Sequence, residues 1–520
     1  MLTKIKGSVF DSGDNGLAIN VKDFGAVGDG STDDTGAIQA AINYAANNGN
    51  VKIHAPEGHY KYTRLYGYYD ASLNAGYPTG VAVKGIQLYG AGSMTRQNYK
   101  QDLYVGTVLE STETTGNCFN VADGTNSTNG VTIKDCSFLG ATTGKLVNID
   151  YTAAYTNVQD IFIGNNDVAG TALYITNVWI SFFKNIDIIG QKDLSAAASL
   201  YKAGSKGLVY GDSGGGNVLW INVTGAYHED GLTFGTDYNV SNLKSKNHAL
   251  IGCQGQYCDN GLVLKHGVTL YRISEYWGEH NENSDIIITD SAENILIENS
   301  NLTSTDAGLE GSLVVGANTG TATTDYAEHV LVNKTKFDFC IVAGLTKYDS
   351  AVDVTIQNSA FKNNGGVACL IENTEPAELT LINNDYYPAS ASSEIIVSQR
   401  VRSASGDRAY LCHRVDYTQA ASVSTDLDMS MWNKLPEFLV VTTTGGTVTL
   451  TLPTTKQGQE QMDMTVLKSF VANNITLDSG SGNVIAPDNT QTINMTATAG
   501  TTITIKPCAG QFEWTYISNA

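Results

Sequence analysis

A short pattern of hydrophobic and polar positions recurs through the middle of the chain. It runs apolar, any, apolar, any, Asn or Asp, any, any, and then a large apolar residue. Alternation over four or five residues is typical of a β-strand, and Asn or Asp at the fifth position suits a tight bend. Full copies begin at Val131, Ile295, Val330, Val354 and Leu379, and partial copies at Val158, Val178, Val218, Val240 and Val268.

A strand, a bend and a second strand that recur every ~20–28 residues predict one coil of a right-handed parallel β-helix. Coils stack at ~4.8 Å, so equivalent positions form ladders along the solenoid. One such ladder is predicted for the bend residues Asp135, Asn299, Asn358 and Asn383. The alternative, an array of β-sandwiches, would show hairpin turns and looser periodicity.

The open end of a solenoid needs a cap. Ser31-Thr32-Asp33-Asp34 precedes a segment with Ile38, Ala41, Ile42 and Ala45 at helical spacing, and Gly49 follows it. Acidic residues favour a helix N-terminus and glycine favours the end. The sequence therefore predicts a helix that closes the first coil.

Beyond residue 400 the composition becomes rich in Thr and Gly, with strands such as TVTLTLP and TTITIKP. Short strands between turns predict a small antiparallel β-sandwich there. The expected fold class is all-β, a right-handed parallel β-helix with an N-terminal capping helix and a C-terminal antiparallel β-sandwich. The expected divisions are an N-terminal segment 1–20, a β-helix 21–400, a connector 401–435 and a sandwich 436–520.

Charge narrows the possible partners. The chain has 31 Lys and Arg against 52 Asp and Glu, a net charge of −21. Such a negative field disfavours nucleic acid and anionic membrane surfaces. No apolar run reaches the ~18 residues that span a bilayer, so no membrane insertion is expected. The cysteines lack paired zinc-site spacing, and we expect no metal and no cofactor.

Residues 21–45, VKDFGAVGDGSTDDTGAIQAAINYA, resemble the opening of the pectate-lyase-like β-helix superfamily, which includes polygalacturonases and many bacteriophage tailspikes. The Asp-Asp pair and the Gly-His-Gly of polygalacturonases are missing from the helix region, which favours the tailspike branch. The resemblance to tailspikes implies a homotrimer in the virion tail that binds and often cleaves bacterial surface polysaccharide. Residues 1–20 would then contact other phage tail proteins.

Three consecutive copies lose the large apolar residue at the eighth position. The copies from Val218, Val240 and Val268 have Gly225, Asn247 and Glu275 there. Local rule violations tend to mark functional sites. Glu229 follows the copy start Val218, and Glu279 follows the copy start Val268, by the same number of residues. The two glutamates are therefore predicted to project from one face of the solenoid, two coils or ~9.6 Å apart.

That separation is at the upper edge of the ~6.5–9.5 Å of inverting glycosidases, whereas retaining enzymes need ~5–5.5 Å. The lead hypothesis is endo-hydrolysis of a surface polysaccharide, with Glu229 and Glu279 as acid and base. Glu275 and Asp259 are the candidates for a closer pair on adjacent coils. Tyr227, Tyr276 and Trp277 offer faces on which pyranose rings could stack.

Arg272 suggests a second mechanism, because a lone guanidinium suits a bidentate grip on a carboxylate. In a polysaccharide lyase, Arg272 would neutralise a uronate while His248, His280 or Tyr276 removed the C5 proton. His228 completes the set of candidate substrate-binding residues in these coils. A third hypothesis is an adhesin that binds polysaccharide without cleaving it.

Overall fold

The computed structural model describes most of the first 303 residues and separate strand segments thereafter. The described residues are 18–48, 51–67, 85–121, 128–150, 152–165, 168–190, 201–211, 215–235, 245–289, 292–303, 311–317, 327–338, 343–347, 351–362, 369–373, 379–382, 384–387 and 395–399, with ten further strands between 422 and 519. The chain divides into two compact units, Met1–Asp306 and Ala307–Ala520.

The described residues of the first unit form a 3₁₀ helix (Val21–Phe24), two α-helices and 27 strands. In chain order these are β1 (Ala18–Asn20), β2 (Asp29–Asp33), α1 (Thr35–Asn47), β3 (Lys52–His54), β4 (Gly58–Tyr62), β5 (Leu65–Tyr66), β6 (Gln87–Tyr89), α2 (Arg96–Lys100), β7 (Thr107–Ser111), β8 (Phe119–Asn120), β9 (Thr128–Asn129), β10 (Thr132–Lys134), β11 (Ser137–Gly140), β12 (Lys145–Ile149), β13 (Thr152–Ala154), β14 (Asn157–Asn165), β15 (Thr171–Thr176), β16 (Trp179–Ile189), β17 (Lys202–Gly211), β18 (Gly216–Ala226), β19 (His228–Phe234), β20 (Ser245–Ile251), β21 (Gln254–Gln256), β22 (Asn260–Leu264), β23 (Val268–Ser274), β24 (Trp277–Glu279), β25 (Ser284–Thr289), β26 (Glu293–Glu298) and β27 (Asn301–Thr303).

Three ladders of parallel strands build this unit, which confirms the predicted parallel β-helix. The first ladder runs β1, β3, β6, β10, β14, β16, β18, β20, β23 and β26. The second runs β2, β4, β7, β11, β14, β16, β18, β21, β24 and β27. The third runs β5, β8, β12, β15, β17, β19, β22 and β25.

Left-handed bends separate the first ladder from the second, as the fifth position of the repeat predicts. Asp135, Asn299 and Asn358 all have φ between 50° and 56°. Asn and Asp tolerate this region because their short side chains can hydrogen-bond locally. The fourth predicted member, Asn383, lies outside the described residues.

The N-terminal cap is also confirmed. Helix α1 buries Ile38, Ala41, Ile42 and Ala45 and packs against β1, β3 and β5. Asp33 accepts the Thr35 amide at 3.0 Å at the start of the helix, whereas the N-cap residue, Asp34, makes no side-chain cap hydrogen bond. The helix ends at Asn47, and the predicted terminator Gly49 lies outside the described residues.

The second unit contains the remaining strands. They are β28 (Gly311–Ala317), β29 (Ala327–Asn333), β30 (Lys336–Asp338), β31 (Ala343–Lys347), β32 (Ala351–Gln357), β33 (Ala360–Lys362), β34 (Cys369–Asn373), β35 (Leu379–Ile382), β36 (Asp385–Tyr387), β37 (Ile395–Gln399), β38 (Ser422–Val423), β39 (Leu427–Asp428), β40 (Phe438–Val441), β41 (Val448–Thr451), β42 (Met464–Lys468), β43 (Ile475–Asp478), β44 (Val484–Ala486), β45 (Thr492–Met495), β46 (Thr502–Pro507) and β47 (Glu513–Asn519).

Parallel pairing predominates among the described strands of this unit and includes β44–β47 near the C-terminus. The ladders β28–β31–β34–β37 and β32–β35 are parallel, and so are β40–β42 and β41–β43. Antiparallel pairs appear only at β42–β46, β43–β45 and β46–β47 among the described strands. The purely antiparallel pairing predicted for 436–520 is therefore wrong, because Thr-rich alternation does not encode strand direction, and the sandwich itself stays a prediction.

Candidate active site

The strand register shows that Glu229 and Glu279, which the sequence pattern predicts at equivalent positions of their coils, are not equivalent. Ala226 lies opposite Gln256, and Gln256 lies opposite Glu279. Glu279 therefore shares a row with Ala226, three positions before Glu229, and the predicted common phase is wrong. The prediction is wrong because it took Val240 and Val268 as the equivalents of Val218. The residues that lie opposite Val218 in the next two coils are His248 and Tyr271.

His248 and Tyr271 are buried side chains that carry polar atoms. A search for alternating apolar residues does not identify them as inward-facing positions. His248 accepts a hydrogen bond from the Trp220 indole at 3.2 Å, and Ser245 Oγ lies 3.2 Å from His248 and 2.6 Å from the Tyr271 hydroxyl. Burial lowers the pKa of His248 to about 3, so the ring stays neutral. Its polar atoms are satisfied internally, as buried polar groups require.

The correct register reveals a glycine row in the second ladder. Ile188 lies opposite Gly225, which is followed by Gly255, Gly278 and then Leu302. Three consecutive coils therefore lack a large apolar residue at this inward position, as predicted. Gly225 is the predicted residue in its coil, but in the next two coils the position is occupied by Gly255 and Gly278 rather than by Asn247 and Glu275. Asn247 and Glu275 instead occupy left-handed bends, with φ of 59° and 57°.

The glycines allow two faces of the solenoid to approach closely. A Cβ added to Gly225 would lie 2.4 Å from the Gly231 carbonyl oxygen, and one added to Gly255 would lie 2.5 Å from the Gly261 Cα. These contacts are with backbone, which cannot move aside cheaply. The chain therefore turns a sharp corner directly after each glycine.

A five-residue motif follows from this corner in three consecutive coils. It reads glycine, any, aromatic, any, acid, as GAYHE from Gly225, GQYCD from Gly255 and GEHNE from Gly278. The third positions are Tyr227, Tyr257 and His280, all left-handed with φ between 54° and 60°. Their rings stack, with centroids 5.0 Å apart for the first pair and 4.8 Å for the second.

The fifth positions form an acidic row of Glu229, Asp259 and Glu282. The Asp259 amide donates to the His228 carbonyl, and the Glu282 amide donates to the Cys258 carbonyl at 2.8 Å. These bonds put the three acids at one position of successive coils, so neighbours are ~4.8 Å apart along the axis. Glu229 and Asp259 are among the residues predicted from the sequence, whereas Glu282 is not, although the repeated motif identifies it.

Each acid has a different environment. Glu229 Oε2 accepts the Gly204 amide at 2.6 Å, and the Glu229 amide donates to Ser205 Oγ at 3.1 Å. Burial raises the pKa of Asp259 to about 6, helped by the charges of Glu229, Asp230 and Glu282 and opposed by a hydrogen bond from Tyr201. An acid that holds its proton near neutral pH beside a carboxylate that accepts a backbone amide suits acid–base chemistry.

A recessed polar face lies before the corner, on the second ladder. Arg96 of α2 donates to Asp187 Oδ1 and to Gln256 Oε1, both at 3.2 Å. Gln256 Nε2 also lies 3.4 Å from Glu279 Oε2. Burial raises the pKa of Asp187 although about a third of its side chain is exposed (34%), so this carboxyl lies in a recess beside α2.

The exposed aromatic residue of this face is Trp277, as predicted. It is 47% exposed and lies opposite Gln254 on one side and Asn301 on the other. Tyr227 is nearly buried, with Lys100 Nζ 3.2 Å from its hydroxyl, whereas His280 is partly exposed and contacts Glu279 at 3.4 Å. The flat apolar face of Trp277 can stack on the apolar face of a pyranose ring, and the neighbouring amide side chains can hydrogen-bond to its hydroxyl groups.

Two further predicted substrate contacts are wrong, because the side chains lie inside the solenoid. Tyr276 is buried and donates to the Asp285 carbonyl at 3.1 Å, filling the volume that Gly255 leaves. His228 is fully buried, neither ring nitrogen has a hydrogen-bond partner among the described residues, and burial lowers its pKa to about 3. His248, described above, joins them as a third correction.

Arg272 and Glu275 lie on the other side of the bend. Arg272 Nε donates to Glu298 Oε1 at 2.6 Å, in the next coil, so its guanidinium is engaged in an ion pair. Glu275 occupies the bend row of Asn222 and Asn299. Among the described residues, no group of three or more His, Cys, Asp or Glu side chains is placed to bind a metal ion. The described helices include none that is long and apolar enough to cross a membrane.

Comparison with known proteins gives one family match and several distant structural similarities. Residues 18–181 match the family model described as Rhamnogalacturonase A/epimerase, pectate lyase-like. Alginate lyase 7 of Azotobacter vinelandii is 60% identical over 45 residues, which is 9% of this chain and 5% of the relative. Mannuronan C5-epimerase AlgE3 of the same organism is 57% identical over 45 residues, 9% of this chain and 2% of the relative.

Among solved structures, the catalytic unit of a GH87 α-1,3-glucanase from Streptomyces thermodiastaticus is 17% identical, with a TM-score of 0.48 over 74% of this chain and 68% of that chain. Bacteriophage CBA120 tailspike protein 2 is 12% identical, with a TM-score of 0.34 over 79% of this chain and 48% of that chain. The chain matches at most about one twentieth of the length of either curated relative. The family match covers residues 18–181, about a third of the chain, so this part of the chain resembles pectate-lyase-like proteins, and its parallel strand ladders form a β-helix.

Proposed function

We propose that this chain is an endo-acting glycoside hydrolase that cleaves a polysaccharide at the acidic row. The observation that carries the proposal is Asp259, whose carboxyl has a pKa of about 6 and lies between Glu229 and Glu282 on the coils either side. A protonated acid one coil from an ionised carboxylate is the arrangement that glycoside hydrolysis requires.

The ~4.8 Å spacing of adjacent coils favours a retaining mechanism, for which ~5–5.5 Å between carboxyl groups is typical. Asp259 would protonate the glycosidic oxygen while a Glu229 oxygen bonds to the anomeric carbon and the leaving sugar departs. The Asp259 carboxylate would then take a proton from water, which attacks the anomeric carbon and releases Glu229. This replaces the inverting pair of Glu229 and Glu279.

The family model and the short match to an alginate lyase support a polysaccharide substrate. Their names include both hydrolase and lyase chemistry, so the choice between the two rests on the site. β-Elimination needs a cation for the uronate and a base for the C5 proton. Arg272 is held by Glu298, and His248 and Tyr276 are buried. The third candidate base, His280, is partly exposed, but its ring stacks on Tyr257 and contacts Glu279, so the observed contacts favour hydrolysis.

The resemblance of residues 21–45 to tailspikes suggests the biological setting. We propose a bacteriophage tailspike in the virion tail, assembled as a homotrimer, that degrades a bacterial capsule or O-antigen. The N-terminus would attach it to other tail proteins. Binding without cleavage, as in an adhesin, is the outcome expected if the acidic row is purely structural.

The test is digestion of candidate surface polysaccharides by the wild type and by Asp259→Asn, Glu229→Gln and Asp23→Asn, with the products analysed by mass spectrometry. Asp23 is an exposed acid of the 3₁₀ helix and is the matched control. Hydrolysis adds one water to each cut chain and elimination adds none. We expect water-containing products from the wild type and the control only; unchanged cleavage by both acidic-row variants would contradict the proposal.

A further inference from the structure

One corner of the first unit presents an uncharged row of bend residues at its surface. Register places them opposite one another in six consecutive coils, at or close to the start of each strand of the first ladder. All have φ between 47° and 61°. We call this row the bend edge, and its residues are Tyr155, Ile180, Asn217, Asn247, Leu270 and Asn294.

Half of the bend edge follows the usual rule for such positions. Asn217, Asn247 and Asn294 suit the left-handed conformation, and Asn247 Nδ2 donates to Asn217 Oδ1 at 2.6 Å. This is the asparagine ladder expected of a stacked bend that faces solvent. Asparagine at every coil would satisfy both the backbone and the surrounding water.

The other three residues are unusual in two ways: they are apolar yet exposed, and they adopt a left-handed backbone conformation that such residues disfavour. Tyr155, Ile180 and Leu270 are 64%, 54% and 53% exposed. A β-branched residue such as Ile180, at φ 47°, is a genuine outlier in this region because its Cβ substituents crowd the backbone. Trp179, next in sequence to Ile180, is also exposed. Residues that cost conformational energy and expose apolar surface mark a functional surface.

We infer that the bend edge is a self-association surface that packs against a second copy of this chain. The chain has a net charge of −21, and a large net charge keeps copies apart unless they meet through uncharged surface. None of the six residues of the bend edge is an Asp, Glu, His, Lys or Arg. Ile180 and Leu270 lack the flat face and polar rim with which aromatic residues hold sugars, which argues against a saccharide as the occupant.

The dimensions fit such a contact. Six coils at ~4.8 Å span ~24 Å from first to last. A standard interface buries about 800 Å² on each partner, a patch roughly 30 Å across. The bend edge can therefore supply the length of an interface core, with Tyr155 and Leu270 near its ends and Trp179 and Ile180 between them.

The test measures the mass of the full chain in solution by light scattering and sedimentation, for the wild type, Ile180→Asn/Leu270→Asn and Leu103→Asn. Leu103 is 48% exposed and lies off the bend edge, so it is the matched control. We expect an oligomer for the wild type and the control, and a protomer for the double variant. A protomeric wild type, or a double variant with the wild-type mass, would overturn the inference.

Misfolding could also change the mass of the double variant, so a second measurement separates the two causes. Asparagine is preferred in the left-handed region, so the double variant should keep the wild-type far-ultraviolet circular dichroism and should remain resistant to proteolysis as a protomer. Dissociation accompanied by loss of the β-signal would count against a specific interface. The activity proposed for the acidic row plays no part in this inference.

Discussion

Replacement of Asp259 by asparagine should abolish the proposed hydrolysis and stabilise the fold at the same time. The folded environment raises the pKa of this carboxyl from 3.8 to about 6 through burial and three neighbouring acids. At 1.36 kcal/mol per pH unit this is ~3 kcal/mol against the ionised form. Because the side chain is only half-buried, solvent screening reduces the figure to ~1–2 kcal/mol.

The sign follows from proton linkage. The folded state holds the Asp259 proton more tightly than the unfolded state between pH 3.8 and about 6. The free energy of unfolding therefore falls as the pH rises through this window, and the loss is complete above it. An asparagine does not ionise, so Asp259→Asn should be ~1–2 kcal/mol more stable than the wild type at pH 8 and equally stable at pH 4.

Urea unfolding at the two pH values measures the difference in stability, and reducing-end release measures activity. We expect a 10²–10⁴-fold loss of kcat/KM, the usual contribution of a general acid. The wild-type rate should also decline above pH ~6 as Asp259 loses its proton. An equal stability change at pH 4 and pH 8, or an active variant, would refute the argument; Asp23→Asn should change neither quantity.

Four other substitutions probe the corner and the face before it. Glu229→Gln should abolish turnover, whereas Glu282→Gln should reduce it less if Glu229 is the nucleophile; equal losses in product assays would leave that assignment unsupported. Trp277→Ala should raise KM several-fold with little change in kcat, because an exposed stacking surface contributes binding, and steady-state kinetics on the same polysaccharide measure both. Gly255→Ala should cost ~1–3 kcal/mol, the usual penalty of overpacking, because its Cβ would lie 2.4 Å from the Tyr276 hydroxyl oxygen; an unchanged urea midpoint would contradict the close approach of the two faces.

The sequence predicts the fold well because each coil repeats a local rule. Alternation marks the strand, and an Asn or Asp marks the bend, as Asp135 and Asn299 show. Neither signal depends on distant residues, so both can be recognised in a single copy. The direction of the strands after residue 436 is a property of pairing between segments, which explains why the antiparallel prediction is wrong there.

The candidate site is harder to predict, because the register of coils 218–282 depends on buried polar side chains. His248 and Tyr271 occupy inward positions with hydrogen bonds to Trp220 and Ser245, so a search for aliphatic residues shifts these coils by several positions. A shift of three positions pairs Glu229 with Glu279 instead of with Glu282, which is the acid two coils away in the same row. The same shift predicts an exposed Tyr276 where the side chain is buried, because a register error of an odd number of residues exchanges the inner and outer faces of a strand.

The motif in these coils connects the packing anomaly with the proposed chemistry. Glycine at the inward position draws two faces together, and the next residues must turn through a left-handed aromatic position before the acid. Stacking of Tyr227, Tyr257 and His280 fixes the spacing of these turns. The acids that follow are thus held at the coil repeat by backbone and ring contacts, and Glu229 also by its bond from the Gly204 amide. Burial at this corner is the main cause that raises the pKa of Asp259 to about 6, and the charges of the neighbouring acids at the ~4.8 Å coil repeat add to it.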